Sequence, residues 1–503
     1  MPEDQSEVIA FLADPATHGG HAVERIDTHS AHVFLAGGTA WKIKRAVRYD
    51  YLDFSTLAKR KAILERELAL NAPAAPSLYR QVVAVAREAG GALALGGTGV
   101  PVEYALEMRR FPAEAQLDRV AEAGRLDEDL AHALGDEVAR YHAAAEVRAE
   151  DGGALIGEIL AELARDFAGM EEALGSGEIS DFSDAAARLH ARLSPRLARR
   201  TAEGHVRRCH SDLHLANLVL IEGRPVPFDA LEFDERLGTC DTGYDLAFLL
   251  MDLDQRGLAR QANICLNAWL ARTRDFGALA PLPLFLGVRA AIRAMVAVQT
   301  ARANGRPVPE EARAYLAAAS AYLAPPRPRL VAVGGISGTG KTTVARLLAP
   351  VLPPVPGAVH LRSDEARKAL LGVDPLVALP DEAYTKETGR MVYARILADG
   401  HACLAAGQSV VLDATFLDPA ERDAVAALAR ETGCALTAVW LTAPERTLMA
   451  RVAARRGDAS DADAEVVAAQ LLRDPGPQSW TEVDADRPAE QIAEDIGNRF
   501  APS

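Results

Sequence analysis

In the stretch "RCHSDLHLAN", residues 208–217, Asp212 is followed five positions later by Asn217, and His210 and His214 flank the acid. An aspartate and an asparagine at that spacing suit phosphoryl transfer: the acid receives the proton of an acceptor hydroxyl and the asparagine holds a metal ion. Three further groups would complete the apparatus. Asp229, in "VPFDALEF", follows an apolar pair and offers a second metal-binding acid. Lys42 and Lys44, in "AWKIKRAV", fall on one face of a strand and are alternative phosphate lysines. Lys42 is preferred because Ala40-Trp41-Lys42 matches the A-x-K end of the kinase strand motif. Glu65 and Glu67, in the helical stretch after it, are the alternative ion-pair partners; Glu67 shares a stripe with Leu64 and Asn71 and is expected to point inward. Singly, each of these residues could be a turn acid, a helix cap or a surface lysine. Their order along the chain is what argues for a site.

A second phosphate signal lies more than a hundred residues downstream. "GISGTGKT", Gly335 to Thr342, satisfies G-x-x-x-x-G-K-[ST] between an apolar strand and a helical run. Gly335, Ser337, Gly338, Thr339 and Gly340 would turn backbone N–H groups toward phosphate oxygens, with Lys341, Thr342 and Thr343 completing an ATP site and Thr342 offering its hydroxyl to Mg²⁺. Asp364, in "HLRSDEARK" beside Arg367, and Asp413, in "SVVLDAT", end two later strands. Ligands of open α/β sheets sit at such strand ends, so Asp364 is read as a proton acceptor and Asp413 as a metal-site acid, with helix capping the plainer reading of each. Arg422, Arg446, Arg451, Arg455 and Arg456 are cations for the transferred phosphoryl group. Arg451 and Arg455, four apart on one helical face, are singled out as catalytic.

The elements that must position these groups are legible in outline. Residues 32–47 read as a hairpin around a Gly-Gly turn, and residues 55–71 as a helix with Ser55 as its N-cap. "RQVVAVA" reads as a strand. Long Ala-rich helices follow, broken by the Asp212 loop and a hairpin, and resume over about 241–323. "APPRPR", residues 324–329, cannot continue a helix and reads as a linker. Beyond it, strands alternate with helical runs, the pattern of a parallel doubly wound sheet.

At 503 residues the chain fits two or three domains. A net charge of -15 disfavours a nucleic-acid partner held by a general basic surface. Five scattered cysteines without a CxxC pair argue against a disulfide framework and for a reducing, cytoplasmic setting. The acidic amino terminus lacks the pattern of a signal peptide, and no apolar stretch looks long enough to span a bilayer. A membrane is therefore not expected as a partner.

At these residues the chain resembles aminoglycoside phosphotransferase-type kinases over about residues 20–320, with "THSAHVFL", "YLDFSTL" and "DTGYDLAFLLMDLD" in keeping. It is similar in particular to bacterial proteins that fuse such a domain to a P-loop kinase-like domain. Residues 329–503 resemble the P-loop small-kinase group of gluconate kinase, polynucleotide kinase and zeta-toxin-like proteins, on the loop, "SDEAR", "LDAT" and the lid-like "RVAARRGDASDAD". The resemblance implies an α/β and α+β multidomain chain. A bilobal protein-kinase-like domain would occupy 1–323, with a small lobe to about 105 and a helical lobe beyond, and a P-loop NTPase parallel α/β domain would occupy 330–503. No G-x-G-x-x-G loop precedes Lys42, so "LAGGTAW" and "DTHS" must do that work, and there is neither a DFG nor an A-P-E pattern. Small hydroxyl compounds are then expected as acceptors rather than proteins. Glu232, Asp234, Asp241 and Asp245 follow the metal acid, and the resemblance implies that acids of the helical lobe help bind a cationic acceptor; Asp241 and Asp245, four apart, could equally fix the catalytic loop, and Asp245, inside an apolar run, is read as structural.

Together these readings predict a bifunctional ATP-dependent kinase using ATP and Mg²⁺ at two nucleotide sites, with small-molecule acceptors. The alternatives are a nucleotide-sensing protein with one silent module, and a P-loop half that phosphorylates nucleic-acid 5′-hydroxyls.

Overall fold

The structure, a computed structural model, describes residues 3–49, 52–374, 377–454, 459–477 and 479–500. The chain packs into two compact units, residues 1–155 with 198–249, and residues 156–197 with 250–503. Packing therefore divides the chain elsewhere than at 324–329, and the helices of 250–323 cluster with the P-loop segment.

In the first unit a six-stranded antiparallel sheet runs in the order Val23–Asp27, Ala31–Ala36, Thr39–Lys44, Val100–Arg109, Tyr79–Arg87, Leu93–Leu95. The expected hairpin is its second and third strands, with Val33 opposite Lys42. Strand alternation sorts the faces. Phe34, Ile43, Val85 and Ala105 pack against Val8 and Leu12 of the helix Ser6–Ala13. On the other face Tyr79 and Leu106 pack with Leu64 of the helix Leu57–Asn71. Lys42 and Lys44, flanking Ile43, consequently project toward that second helix. Its N-cap is Thr56, not Ser55: the Thr56 hydroxyl accepts from Lys59 N, whereas Ser55 Oγ donates to Asp53 Oδ1 at 2.6 Å. The threonine is one residue nearer the first helical turn, where a cap oxygen reaches the orphan amide.

The Asp212 loop runs between the strand Val206–Arg208, which pairs with Thr239–Asp241, and the hairpin Leu218–Ile221/Arg224–Pro227. A single 3₁₀ turn, Leu215–Asn217, closes it.

In the second unit five parallel strands lie in the order Val359–Arg362, Val410–Asp413, Arg329–Gly334, Ala435–Thr442, Thr481–Asp484. Their interior residues are apolar without alternation because helices cover both faces. Val331, Val333, Val411, Val439 and Leu441 are buried with Val344 and Leu348 of the helix Lys341–Leu348 and Ile492 and Ile496 of the helix Ala489–Gly497. The helices Ala259–Thr273, Leu282–Ala303 and Glu310–Leu323 belong to the same unit. One correction concerns hydropathy. The helix Leu282–Ala303 is long and apolar enough to cross a bilayer, with a mean hydropathy of 1.4, but 61% of that window is buried among its neighbours. It is apolar because it is a core helix.

Candidate functional site

In the first unit three segments meet at Lys42. Its Nζ donates to Glu67 Oε1 at 2.8 Å and to Asp229 Oδ1 at 2.7 Å. The strand lysine, the helix acid and the acid after the hairpin are therefore joined through one ammonium. Burial opposes the charge on Lys42, but the Asp229 and Glu67 carboxylates outweigh it and hold the group well above the usual lysine range. Asp229 responds in the opposite sense: burial favours its neutral form, yet Lys42 and then Lys44 keep its pKa below the ordinary value.

Lys44 is also engaged. Its Nζ lies 2.6 Å from Glu67 Oε2 and 2.6 Å from Glu232 Oε1. Glu67, 0% exposed, thus serves both lysines, one with each oxygen. Glu65 points away and pairs with Lys61 at 3.5 Å on the exposed side. The difference between the lysines lies in their second partner. Lys42 reaches Asp229, while Lys44, 1% exposed, is enclosed by Glu232.

Asp212 Oδ2 accepts from Asn217 Nδ2 at 2.8 Å, and the same Nδ2 donates to the Asp212 carbonyl at 2.9 Å. His214 Nε2 is 3.6 Å from Asp212 Oδ2. The five-residue spacing works because the 3₁₀ turn folds Asn217 back on the acid. The loop is held from behind by Asp245, which accepts from Ser211 N at 2.7 Å, His210 N at 3.2 Å and His142 Nε2 at 3.1 Å. The structural reading of Asp245 agrees with this geometry, and Asp241 is likewise enclosed, bound to Arg200 at 2.6 and 2.8 Å. His210 is fully buried; its Nε2–H donates to the Phe228 carbonyl at 2.9 Å, and burial pushes the imidazole pKa down.

Two residues not singled out for the site fasten Asp229, whose φ of 61° is left-handed. Its N–H donates to Tyr79 Oη at 3.0 Å, and Asn71 Oδ1 accepts from Ala230 N at 2.8 Å. Asn71 was within reach of sequence reasoning, four residues after Glu67 on one stripe. Tyr79 was not, since nothing local marks its hydroxyl.

In the second unit the phosphate loop joins the strand Arg329–Gly334 to the helix Lys341–Leu348, as the motif requires. Gly338 has φ 86°, and a Cβ there would sit 2.7 Å from the Leu448 carbonyl, so only glycine fits. The same holds for Gly335, where a Cβ would sit 2.5 Å from Leu441 O. Gly340 caps the helix, also at positive φ, and Thr339 Oγ1 donates to Ile336 O at 2.8 Å. Lys341 Nζ folds back to Ile336 O at 3.0 Å, Ser337 N donates to Gln470 Oε1 at 2.8 Å, and Thr343 is exposed in the first helical turn.

Thr342 Oγ1 donates to Asp413 Oδ2 at 2.7 Å, so the two oxygen groups expected at the metal are adjacent. Burial disfavours the Asp413 charge, but His360, Arg362 and Lys341 hold its pKa well below the carboxylate range. Asp364 moves the other way. Burial, with Asp413 adding to it, raises its pKa against the pull of Arg362 and Lys341. Two acids of one site are thereby driven apart in proton affinity, the pattern expected of groups with different tasks.

Arg451 lies against the loop, with Nη1 3.3 Å from Thr339 O and Nη2 2.9 Å from Ala485 O. Arg455 and Arg456 lie outside the described residues. Arg446 is exposed. Arg422 is corrected: it is buried, and it donates to the carbonyls of Phe416 at 2.7 Å and Pro475 at 2.6 Å, which commits it to holding backbone. Arg367 stacks over Tyr384 and donates to Ala383 O. His360 and Gln470 were missed. Strand alternation from Arg362 could have placed His360 on the Asp413 side, but nothing in the sequence marks Gln470.

Residues 330–474 match the AAA domain family. An uncharacterized protein of Mycobacterium tuberculosis is 28% identical over 476 residues, covering 92% of this chain and 93% of that protein. Among solved structures, a choline/ethanolamine kinase family protein from Mesorhizobium loti is similar at 17% identity, covering 64% of this chain and 93% of its own, with a TM-score of 0.39. A gluconokinase from Sinorhizobium meliloti is similar at 24% identity, covering 35% and 94%, with a TM-score of 0.24. By its own architecture the chain carries a six-stranded antiparallel sheet in one unit and a parallel five-stranded P-loop α/β sheet in the other.

Proposed function

We propose that the protein is a bifunctional ATP-dependent phosphotransferase of the cytoplasm, with two separate nucleotide sites and small hydroxyl-bearing acceptors. The two modules are the segments 1–323 and 330–503, joined by 324–329. The observation that carries the reading is the single ammonium of Lys42 bonded to both Glu67 and Asp229, 25 and 187 residues away. In phosphoryl transfer positioning and charge neutralisation supply almost all of the catalysis, and these are the groups such positioning needs.

In the first module Lys42, oriented by Glu67, binds nucleotide phosphate. Asp212 accepts the proton of the acceptor hydroxyl as the hydroxyl oxygen bonds to the γ-phosphorus of ATP and the bond from that phosphorus to the bridging oxygen breaks, releasing ADP. Asn217 and Asp229 would hold Mg²⁺, a fit supported by their hard oxygen donors beside the phosphate lysine. In the second module the loop amides, Lys341 and Thr343 bind a second nucleotide, and Asp364, its pKa raised, takes the proton of that acceptor. Arg451 balances charge on the transferred group. The adjacent oxygens of Thr342 and Asp413 are again a donor set suited to Mg²⁺. Bound there, the ion would neutralise charge on the phosphate oxygens.

The test is ATP turnover by the full chain across a metabolite library, with Asp212→Asn and Lys341→Ala. Each variant is expected to abolish one set of products and spare the other. Full wild-type turnover in each variant would sink both assignments. Tight ATP binding with no phosphorylated product from any acceptor would favour a nucleotide sensor instead.

A further inference from the structure

The strand Val359–Arg362 is an edge of the parallel sheet. An edge strand leaves a row of backbone donors and acceptors that need partners. Here the partners are two asparagines of the helix Ala259–Thr273, more than ninety residues upstream. Asn267 Oδ1 accepts from His360 N at 2.8 Å, and Asn267 Nδ2 donates to Ala358 O at 3.1 Å. Asn263 Nδ2 donates to the same carbonyl at 2.9 Å and is almost fully buried. The two amides do for this stretch what one more strand would do. Gly357, at φ 108°, permits the close approach, since a Cβ there would fall 2.6 Å from Asn263 Nδ2. The same helix is fastened again at its carboxyl end, where Arg274 pairs with Asp399.

The strand so gripped carries His360, whose backbone faces Asn267 and whose ring faces the phosphate site. His360 Nε2 is 3.2 Å from Asp413 Oδ2, the oxygen that also accepts from Thr342 at 2.7 Å. Arg362 Nε, two residues along the same strand, is 3.7 Å from it. Donors from the edge strand and the phosphate-loop helix thus meet at one carboxylate oxygen and stop its rotation. Partners behind a metal-binding carboxylate typically govern affinity by about 10–100-fold.

We propose that the helix Ala259–Thr273 is a working part of the P-loop site: Asn267 sets the edge strand, and His360 on that strand is the positioning residue for Asp413. The inference rests on the reading of this loop as a magnesium–nucleotide site. It assigns to Asn267 and His360 a role that neither the phosphate-loop motif nor the acids at the strand ends predict.

The test uses the full chain. ATP affinity is measured by calorimetry with Mg²⁺ and with EDTA, the Lys341→Ala protein defining the contribution of this site. The readout is the factor by which Mg²⁺ strengthens Lys341-dependent binding. His360→Phe, which keeps the ring volume and loses the donor, is expected to cut that factor roughly tenfold while metal-free affinity changes little. His360→Gln, which keeps a donor, should restore most of it. Asn267→Leu should reproduce the His360→Phe result although the hydrogen bonds of Asn267 run to Ala358, His360 and its own helix rather than to Asp413. The inference is overturned if these variants lower only the melting temperature, or weaken binding equally with and without Mg²⁺. The His360 pair decides the matter should Asn267→Leu fail to fold. Absence of Lys341-dependent binding in the wild type would instead overturn the P-loop reading itself, and the inference with it.

Discussion

Replacing Asp245 by asparagine changes one oxygen for one NH₂ at a position that is 0% exposed. The carboxylate accepts from Ser211 N, His210 N and His142 Nε2, so three donors face it. An asparagine keeps one acceptor oxygen and turns a donor toward donors. Losing a hydrogen bond to a charged group costs about 1.5–3 kcal/mol, and leaving a buried donor unsatisfied costs about 1–3 kcal/mol more. Ser211 adds to the demand: its φ of 66° is left-handed, a conformation worth about 1–2 kcal/mol that persists only where surroundings hold it. Allowing for partial relaxation, the held loop should lose about 3–4 kcal/mol relative to released conformations. At 1.4 kcal/mol per tenfold, turnover at the first site should fall by about 10²–10³. Nucleotide affinity should change less, because the hydrogen bonds that join Lys42 to Glu67 and Asp229 are made by other segments than the loop Asp245 holds. Steady-state kcat and ATP affinity measure the two effects, and amide hydrogen exchange over 209–217 reports release of the loop. Wild-type turnover with unchanged exchange would refute the claim that Asp245 holds Asp212 in place.

Glu67→Gln should destabilise the chain by roughly 3 kcal/mol or more, because it leaves two buried ammonium groups short of a carboxylate, whereas Glu65→Gln should cost under about 0.5 kcal/mol at its exposed site; equal denaturant midpoints would contradict the division of labour between them. Gly338→Ala forces a Cβ to 2.7 Å from Leu448 O at positive φ. It should lower ATP affinity at the second site at least tenfold, the left-handed strain alone being about 1–2 kcal/mol, and unchanged calorimetric affinity would count against the loop geometry. Asp413 has a depressed folded pKa, so its stabilisation is complete above the unfolded carboxylate value of about 3.9 and is lost as the pH falls toward the folded value. Asp413→Asn should therefore melt below the wild type at neutral pH, with the gap closing on acidification below about pH 4; a gap that widens there would reverse the sign.

Much of the geometry at both candidate sites was legible because its parts are local. The loop from Gly335 to Thr342 needs its glycines within a few residues, and Asn217 reaches Asp212 through one tight turn, so spacing alone carries the geometry. Strand period likewise placed Lys42 and Lys44 on one face. Other assignments depend on what packs against an element. The cap of the helix Leu57–Asn71 went to Thr56 because Asp53 captured Ser55. Arg422 resembled a phosphate ligand in sequence and proved to be a buried clamp on three carbonyls.

By itself the sequence determined which chemical groups are present, their order, and the two local phosphate motifs, because helix, strand and turn periods act over a handful of residues. Only the tertiary structure decided that Glu67 divides its two oxygens between two lysines, that Asp245 holds the Asp212 loop, and that Asn267, upstream of the linker, bonds the backbone of His360, whose ring reaches Asp413. Those are pairings of polar groups as much as 103 residues apart in the chain. Which donor meets which acceptor at that range is set by how the elements pack, and no local pattern encodes it.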